Sequence, residues 1–227
     1  MPVNPATTTT LEPVRLYLAS TSPARLATLR AAGIEPAGLL SPGVDEDALV
    51  ASLTAARGAL SAAEMVGELA RAKAEAVVGQ LVDGEPIDGF ILGGDSAFEF
   101  DGVIYGKPHT AEVARERWHK MIGGGGVLHS GHWLIDHRGG TAGGGAGAVD
   151  DAVVEFADDI PEEEIDAYIA TGEPLSVAGA FTVDSRGQAF IRRVDGHPST
   201  VVGLSVPTLR RLLAESFGVG WHRLWNL

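Results

Sequence analysis

The chain reads as a mixed α/β fold on three observations. Apolar runs of strand length, such as residues 15–19 and 90–95, alternate with stretches whose apolar residues recur at helical spacing. The Asp101-Gly102 pair between residues 97–100 and 103–105 signals an antiparallel hairpin. The order of strands and helices follows no regular strand–helix–strand cycle, which points to a curved mixed sheet.

Residues 15–19 form a short apolar strand that runs straight into Ser20-Thr21-Ser22-Pro23. Ser22 is placed to cap a helix and Pro23 to occupy its first position, where no amide hydrogen is needed. Leu26, Leu29 and Ala32 share one face of that helix, and Gly33 stops it. A loop over 35–44 leads into Asp45-Glu46-Asp47. From there to Val78 the Ala/Leu/Glu-rich composition is helical, with breaks expected at Gly58 and Gly67. Strand 90–95 ends in a carboxylate, Asp95. After the hairpin, Gly106-Lys107-Pro108 ends the strand, and Thr110 opens an amphipathic helix to Met121. Residues 127–136 read as a strand, 139–147 as a flexible glycine-rich surface loop, 152–156 as a strand and 161–170 as a helix. Residues 179–183 and 189–194 are further strand candidates. Ser205 caps a last helix, with Pro207 near its start and Leu209, Leu212 and Leu213 facing inward.

A chain of 227 residues buries about 70% of its unfolded surface and needs no covalent staples. It contains no cysteine, which removes disulfides and thiolate metal ligands and suits a reducing compartment. Its 17 Lys and Arg against 30 Asp and Glu give a formal net charge of -13. Such a surface repels polynucleotides and anionic lipid, because a phosphate backbone demands a field of cations. A mononucleotide stays open, since a local pocket and a divalent cation can meet its few charges. Residues 1–14 lack the basic start and apolar core of a secretory signal and read as a flexible Pro/Thr tail. No run approaches the ~18–20 consecutive apolar residues of a membrane helix. The expectation is a soluble cytoplasmic protein.

Three groups of residues could carry chemistry. At Ser20-Thr21-Ser22-Pro23-Ala24-Arg25 a strand turns into a helix, whose N-terminal amides and dipole attract anions, and Arg25 on the first turn can grip phosphate through paired hydrogen bonds. An ordinary capped helix with a surface arginine gives the same pattern. Asp95 follows Gly93-Gly94, where backbone can approach a ligand closely; it could bind Mg²⁺ with Glu46 or activate a water, or simply occupy a turn. Lys73, on a helix, and Lys107, on the stiff Gly106-Lys107-Pro108 segment, are lone cations that would each pass as surface lysines. His129 and His132 are three apart on a strand and so point to opposite faces, which argues against a shared metal. The chain has no H-x-x-x-H zinc motif, no G-x-S-x-G elbow and no P-loop; the run 123–126 reads as a loop.

Taken in this order, these pieces resemble the Maf family, also described as septum-formation inhibitors, over nearly the whole chain from about Arg15. The resemblance is carried by Leu18-Ala19-Ser20-Thr21-Ser22-Pro23-Ala24-Arg25, by Ser41 through Val44-Asp45-Glu46, and by Lys73 in Leu69-Ala70-Arg71-Ala72-Lys73-Ala74. Gly94-Asp95-Ser96, Gly106-Lys107-Pro108, Thr171-Gly172-Glu173-Pro174-Leu175, Ala178-Gly179-Ala180-Phe181 and Val201-Val202-Gly203-Leu204 complete it.

The resemblance implies a single two-lobed α/β domain over 15–227, similar to inosine triphosphate pyrophosphatases, with the nucleotide in a central cleft. It implies a metal-dependent pyrophosphatase that cuts a non-standard, modified or surplus nucleoside triphosphate into monophosphate and pyrophosphate. Asp95 would be the catalytic base, Glu46 and Asp95 would hold Mg²⁺ or Mn²⁺, and Ser20, Ser22, Arg25, Lys73 and Lys107 would bind the triphosphate. The specificity positions fall at Ala24, Ser96 and Asp184, where thymidine and uridine triphosphatases of the family carry Arg, Thr and Gln, so the base preferred here stays open. Where family members carry a cation and a hydroxyl after the Met121 helix, this chain has Gly124 and Gly125. A homodimer is a further expectation. The rival readings are a non-enzymatic nucleotide-binding regulator of cell division and an inosine/xanthosine triphosphate pyrophosphatase.

Overall fold

The structure, a computed structural model, describes residues 14–225; the tail expected over 1–14 lies outside them except for Val14. The first half runs β1 (Leu16–Ala19), α1 (Pro23–Ala31), β2 (Gly38–Leu39), α2 (Glu46–Arg57), α3 (Ala62–Ala76), β3 (Leu81–Val82), β4 (Glu85–Pro86), β5 (Phe90–Phe100) and β6 (Val103–Tyr105). The second half runs α4 (Ala111–Met121), β7 (Gly125–Asp136), β8 (Gly145–Phe156), α5 (Glu162–Ala170), β9 (Ile191–Asp195), α6 (Pro198–Val202) and α7 (Val206–Phe217).

One mixed sheet organises the molecule, in the order β2-β1-β5-β7-β8-β9, with β6 alongside the far half of β5. β1 pairs in parallel with β2 and with β5. The β5–β7, β7–β8 and β8–β9 pairs are antiparallel. A parallel neighbour needs a long crossover, which α1, α2 and α3 supply between β1 and β5.

The helix starts follow from local chemistry. Ser22, Ser61, Thr110 and Ser205 each accept a hydrogen bond from a first-turn amide, and Ser61 forms a reciprocal capping box with Glu64. Alternation along β5 sends Phe90, Leu92, Phe98 and Phe100 to one face of the sheet. There they meet Leu29, Leu209 and Leu213 at one end and Trp118, Phe156, Tyr168 and Phe181 at the other. The opposite face takes Ile91, which packs with Ala74 of α3 and with Val77 just past its end. Helix α3 lies directly on the sheet: a Cβ at Gly93 would strike the Ala70 carbonyl and sit 2.8 Å from the Ala74 nitrogen, and one at Gly131 would strike the Val66 carbonyl.

Several sequence expectations need correcting. Gly58 ends α2, but Gly67 lies inside α3, where the capping box and packing on β7 and β8 outweigh the ~1 kcal/mol that a helical glycine costs. Strand β5 does not stop at Asp95; it continues into the hairpin as one eleven-residue strand. The glycine-rich segment is only partly a loop, because β8 begins at Gly145. Gly145 and Gly147 make room for the Trp133 indole of β7; a Cβ at Gly145 would lie 2.7 Å from its ring nitrogen. Likewise β7 begins at Gly125, inside the run read as a loop. A Cβ at Gly124 would lie 2.9 Å from the Phe100 ring, and one at Gly126 would strike the Glu99 carbonyl. Residues 178–180 form a 3₁₀ turn with no strand following, and β9 is confined to Ile191–Asp195.

Candidate active site

The site forms where β1 ends beside β5. Register pairs Ala19 with Gly93, so the turn at Ser20 emerges next to Gly94, Asp95 and Ser96. Alternation then separates two neighbouring residues. Asp95 shares the face of Gly93 and points toward α3, whereas Ser96 shares the face of Gly94, where an added Cβ would lie 3.1 Å from Arg25 Nε.

On the α3 face, the Lys73 ammonium donates to Asp95 Oδ1 at 2.6 Å and ion-pairs with Glu46 Oε1 at 2.7 Å. Lys73 and Asp95 are each only 8% exposed, whereas the Glu46 side chain, at the first position of α2, is 51% exposed. A single cation thus gathers two carboxylates at the mouth of a buried site. Burial pushes the Asp95 carboxyl above the usual carboxylate range, with Lys73 and Arg25 pulling it partly back.

On the other face, Arg25 is held at every nitrogen. Its Nε donates to the Gly203 carbonyl at 2.8 Å, Nη1 to Ser20 Oγ at 3.2 Å and Nη2 to Ser96 Oγ at 3.0 Å. Burial lowers its pKa, opposed by Asp95 and Glu46, yet a guanidinium stays protonated under such a shift. Gly203 adopts φ 108, a left-handed conformation that glycine tolerates, and its carbonyl also receives Ser96 Oγ at 3.4 Å.

The sequence reading missed what supports this cluster. Ser96 Oγ meets Ser130 Oγ at 3.1 Å, and Ser130 donates to the Thr200 carbonyl at 2.8 Å. Thr200 and Ser205 hydroxyls both donate to Asp150 Oδ2, at 2.6 and 2.7 Å. Burial alone would raise the Asp150 pKa, but these hydrogen bonds, with His132 and Arg211 nearby, hold it low. The Ser205 amide donates to His132 Nε2 at 2.8 Å, and His132 Nδ1 faces the Ala148 carbonyl at 3.4 Å. Burial pushes the His132 pKa down to about 4, so the ring is neutral and free to accept that amide hydrogen. The one advance signal was Ser205 as a helix cap.

Of the candidate residues, Ser20, Arg25, Glu46, Lys73, Asp95 and Ser96 come together. Ser22 stands at the helix start, its hydroxyl accepting from the Arg25 amide at 3.4 Å. Ala24, partly buried on the first turn of α1, adds no polar group. Lys107 is exposed and makes no ion pair with the cluster among the described residues, although the β6 register carries the chain back toward Ser96. Asp184 is also exposed, in a loop tied down by Glu173, which accepts from Thr182, Ser185 and the Gly187 amide. His129 meets Asp151 on one face of the sheet and His132 the Ser205 amide on the other, and no group of three or more His, Asp or Glu side chains placed to hold a metal ion occurs among the described residues. A separate cleft of about 500 Å³ lies on the other flank of α3, between Ala63, Gly67, Arg71, Trp133 and Val149, and holds neither Asp95 nor Lys73. No helix among the described residues is long and apolar enough to cross a membrane.

The arrangement offers a desolvated carboxylate beside fixed cations, with a half-exposed second carboxylate at its mouth. Comparison with known proteins fits it. Residues 15–216 match the model of the family described as "Maf-like protein". A nucleoside triphosphate pyrophosphatase of Leifsonia xyli subsp. xyli is 62% identical over 213 residues, covering 94% of this chain and 97% of that protein. Proteins of the same name from Salinispora tropica and Rhodococcus opacus are 53% and 50% identical, covering 89% and 92% of this chain and 84% and 94% of their own lengths.

Proposed function

This chain belongs to the Maf family, and on that premise we propose that it hydrolyses a nucleoside triphosphate to nucleoside monophosphate and pyrophosphate in a cleft between two lobes of one domain. The observation that carries the reading is the buried Asp95 carboxylate held against Lys73, with Glu46 on the same ammonium.

In this reading a water attacks the α-phosphorus while Asp95 takes its proton. The bond from the α-phosphorus to the bridging oxygen breaks, and pyrophosphate leaves with the electron pair. Burial raises the Asp95 pKa toward the working range of a general base. Negative charge developing on the leaving group is met by Lys73, Arg25 and Lys107, with Ser20 and Ser22 at the helix start offering hydrogen bonds. Arg25, braced by Gly203, Ser20 and Ser96 before substrate arrives, loses little freedom on binding.

A divalent cation fits the donors present. Glu46 and Asp95 are hard oxygen donors that already converge on one positive charge, and Mg²⁺ commonly takes one or two carboxylates together with phosphate oxygens and water. Mg²⁺ or Mn²⁺ held there would neutralise phosphate charge. No donor pattern here calls for a softer metal. Family membership also carries the expectations of a cytoplasmic location and a homodimer.

The test is incubation with a panel of standard and modified nucleoside triphosphates plus Mg²⁺ or Mn²⁺. Monophosphate and pyrophosphate should appear; orthophosphate alone from every substrate would sink the reading. Asp95→Asn should keep nucleotide binding and lower turnover by about 10²–10⁴-fold, the usual worth of a general base. Full activity in that variant would remove Asp95 from the mechanism, and binding without turnover in the parent protein would favour a nucleotide-sensing regulator instead.

A further inference from the structure

Arg25 meets three acceptors, and only one of them is rigid. The Ser20 and Ser96 hydroxyls each rotate about a single bond, whereas the Gly203 carbonyl, 2.8 Å from Nε, is fixed by the backbone. Where the guanidinium points therefore depends on where the stretch from Thr200 to Ser205 sits. That stretch carries the end of α6 into α7, and Thr200, Gly203 and Ser205 are all buried in it.

Three side chains of β7 and β8 hold the stretch. Ser130 and Asp150 are register partners, and alternation puts His132 on the same face. Ser130 donates to the Thr200 carbonyl at 2.8 Å, and His132 accepts from the Ser205 amide at 2.8 Å. Asp150 grips both ends through one oxygen: Oδ2 accepts from the Thr200 hydroxyl at 2.6 Å and from the Ser205 hydroxyl at 2.7 Å. Hydroxyl bonds of that length to an ionised carboxylate are among the stronger hydrogen bonds in proteins. Gly203 lies between the two anchors.

Helix capping does not call for this carboxylate. Ser205 Oγ caps α7 by accepting from the Thr208 amide at 3.4 Å, wherever its own proton goes. Nor does Asp150 join the ion pairs of Lys73 with Glu46 and Asp95. Its effect reaches the site by one route, through Gly203 to Arg25. We propose that Asp150 is a positioning residue for phosphate binding: by clamping Thr200 and Ser205 it fixes the Gly203 carbonyl and, through that carbonyl, the guanidinium of Arg25. The inference rests on the pyrophosphatase reading, in which Arg25 meets the polyphosphate.

The experiment is a double-mutant cycle between Asp150→Ala and Arg25→Lys. It is read as kcat/KM on the nucleoside triphosphate that the parent turns over fastest, and as affinity for inorganic tripolyphosphate by calorimetry. Lysine keeps the charge but lacks the Nε donor that Gly203 receives. With Arg25 present, Asp150→Ala should lower kcat/KM by about 10–100-fold, the effect of misplacing a binding group by about an ångström, and weaken tripolyphosphate binding in parallel. In the Arg25→Lys background the same substitution should change both by less than about twofold, because the brace has lost its donor. Asp150→Asn, whose carbonyl oxygen can still accept both hydroxyls, should lie closer to the parent than Asp150→Ala. Equal losses in the two backgrounds would mean a general structural role and overturn the proposal, as would Asp150→Ala matching the parent in both readouts. A parent protein that turns over no nucleotide overturns the underlying reading instead. If Asp150→Ala fails to fold, Thr200→Val decides in the same cycle, since it removes one hydroxyl donor and keeps the Thr200 carbonyl for Ser130.

Discussion

Lys73→Met removes the ammonium on which Asp95 leans while keeping much of the side-chain volume. Both side chains are nearly enclosed, at 10% and 11% exposure, and breaking one partner of such a pair typically costs 3–5 kcal/mol. Arg25 still attracts the stranded carboxylate through space, so the lower end applies, about 3 kcal/mol. Glu46 is half exposed, and losing its contact adds less than about 1 kcal/mol. In a chain of this size that corresponds to a fall in Tm of about 6–12 °C. Asp95→Asn alone should be neutral or mildly stabilising, because burial disfavours the ionised carboxyl and Lys73 keeps Glu46 as a partner. The double variant should recover most of the loss. The sign with pH follows: a protonated Asp95 needs no counter-ion, so the deficit of Lys73→Met shrinks as pH falls through the raised Asp95 pKa. Urea unfolding at pH 7 and at lower pH reads all of this. A Lys73→Met variant within 1 kcal/mol of the parent, or a double variant no more stable than Lys73→Met, would refute the reasoning.

His132, with a pKa lowered to about 4 against 6.5 in the unfolded chain, stabilises the fold above pH 6.5 and loses that contribution as pH falls toward 4. The parent protein should lose about 2 kcal/mol between pH 7 and pH 5 from this group; His132→Gln, which retains an acceptor for the Ser205 amide, should flatten that slope in urea titrations at the two pH values. Gly93→Ala sets a Cβ against the Ala70 carbonyl and should cost about 3 kcal/mol by lifting α3 off β5; a variant with unchanged Tm would mean that the helix does not lie that close. Because Asp95 acts as a base in the proposed reaction, kcat should rise with pH through its elevated pKa, and a pH-independent kcat across the acid range would contradict that role.

Signals confined to a few neighbouring residues were legible in the sequence. Ser22, Thr110 and Ser205 cap the helices they were expected to cap, because a cap involves only the next three residues. The Asp101-Gly102 turn joins β5 and β6 as the pair of residues demands. Motif order was equally legible, and it singles out Arg25, Glu46, Lys73 and Asp95.

What the tertiary structure decided depends on residues far apart in the chain. Arg25 is braced by Gly203, 178 positions away, and Ser96 by Ser130, 34 positions away; no local pattern encodes such a contact. Glycine was the other blind spot. The residue that loosens a loop is also the one that lets a ring or a helix backbone come close, so Gly145, Gly147 and Gly124 read as flexible connection until Trp133 and Phe100 were seen against them. The chemistry of the candidate site was written in residue types, while its division between two faces of β5 came from strand pairing, which sets Asp95 toward α3 and Ser96 toward Arg25.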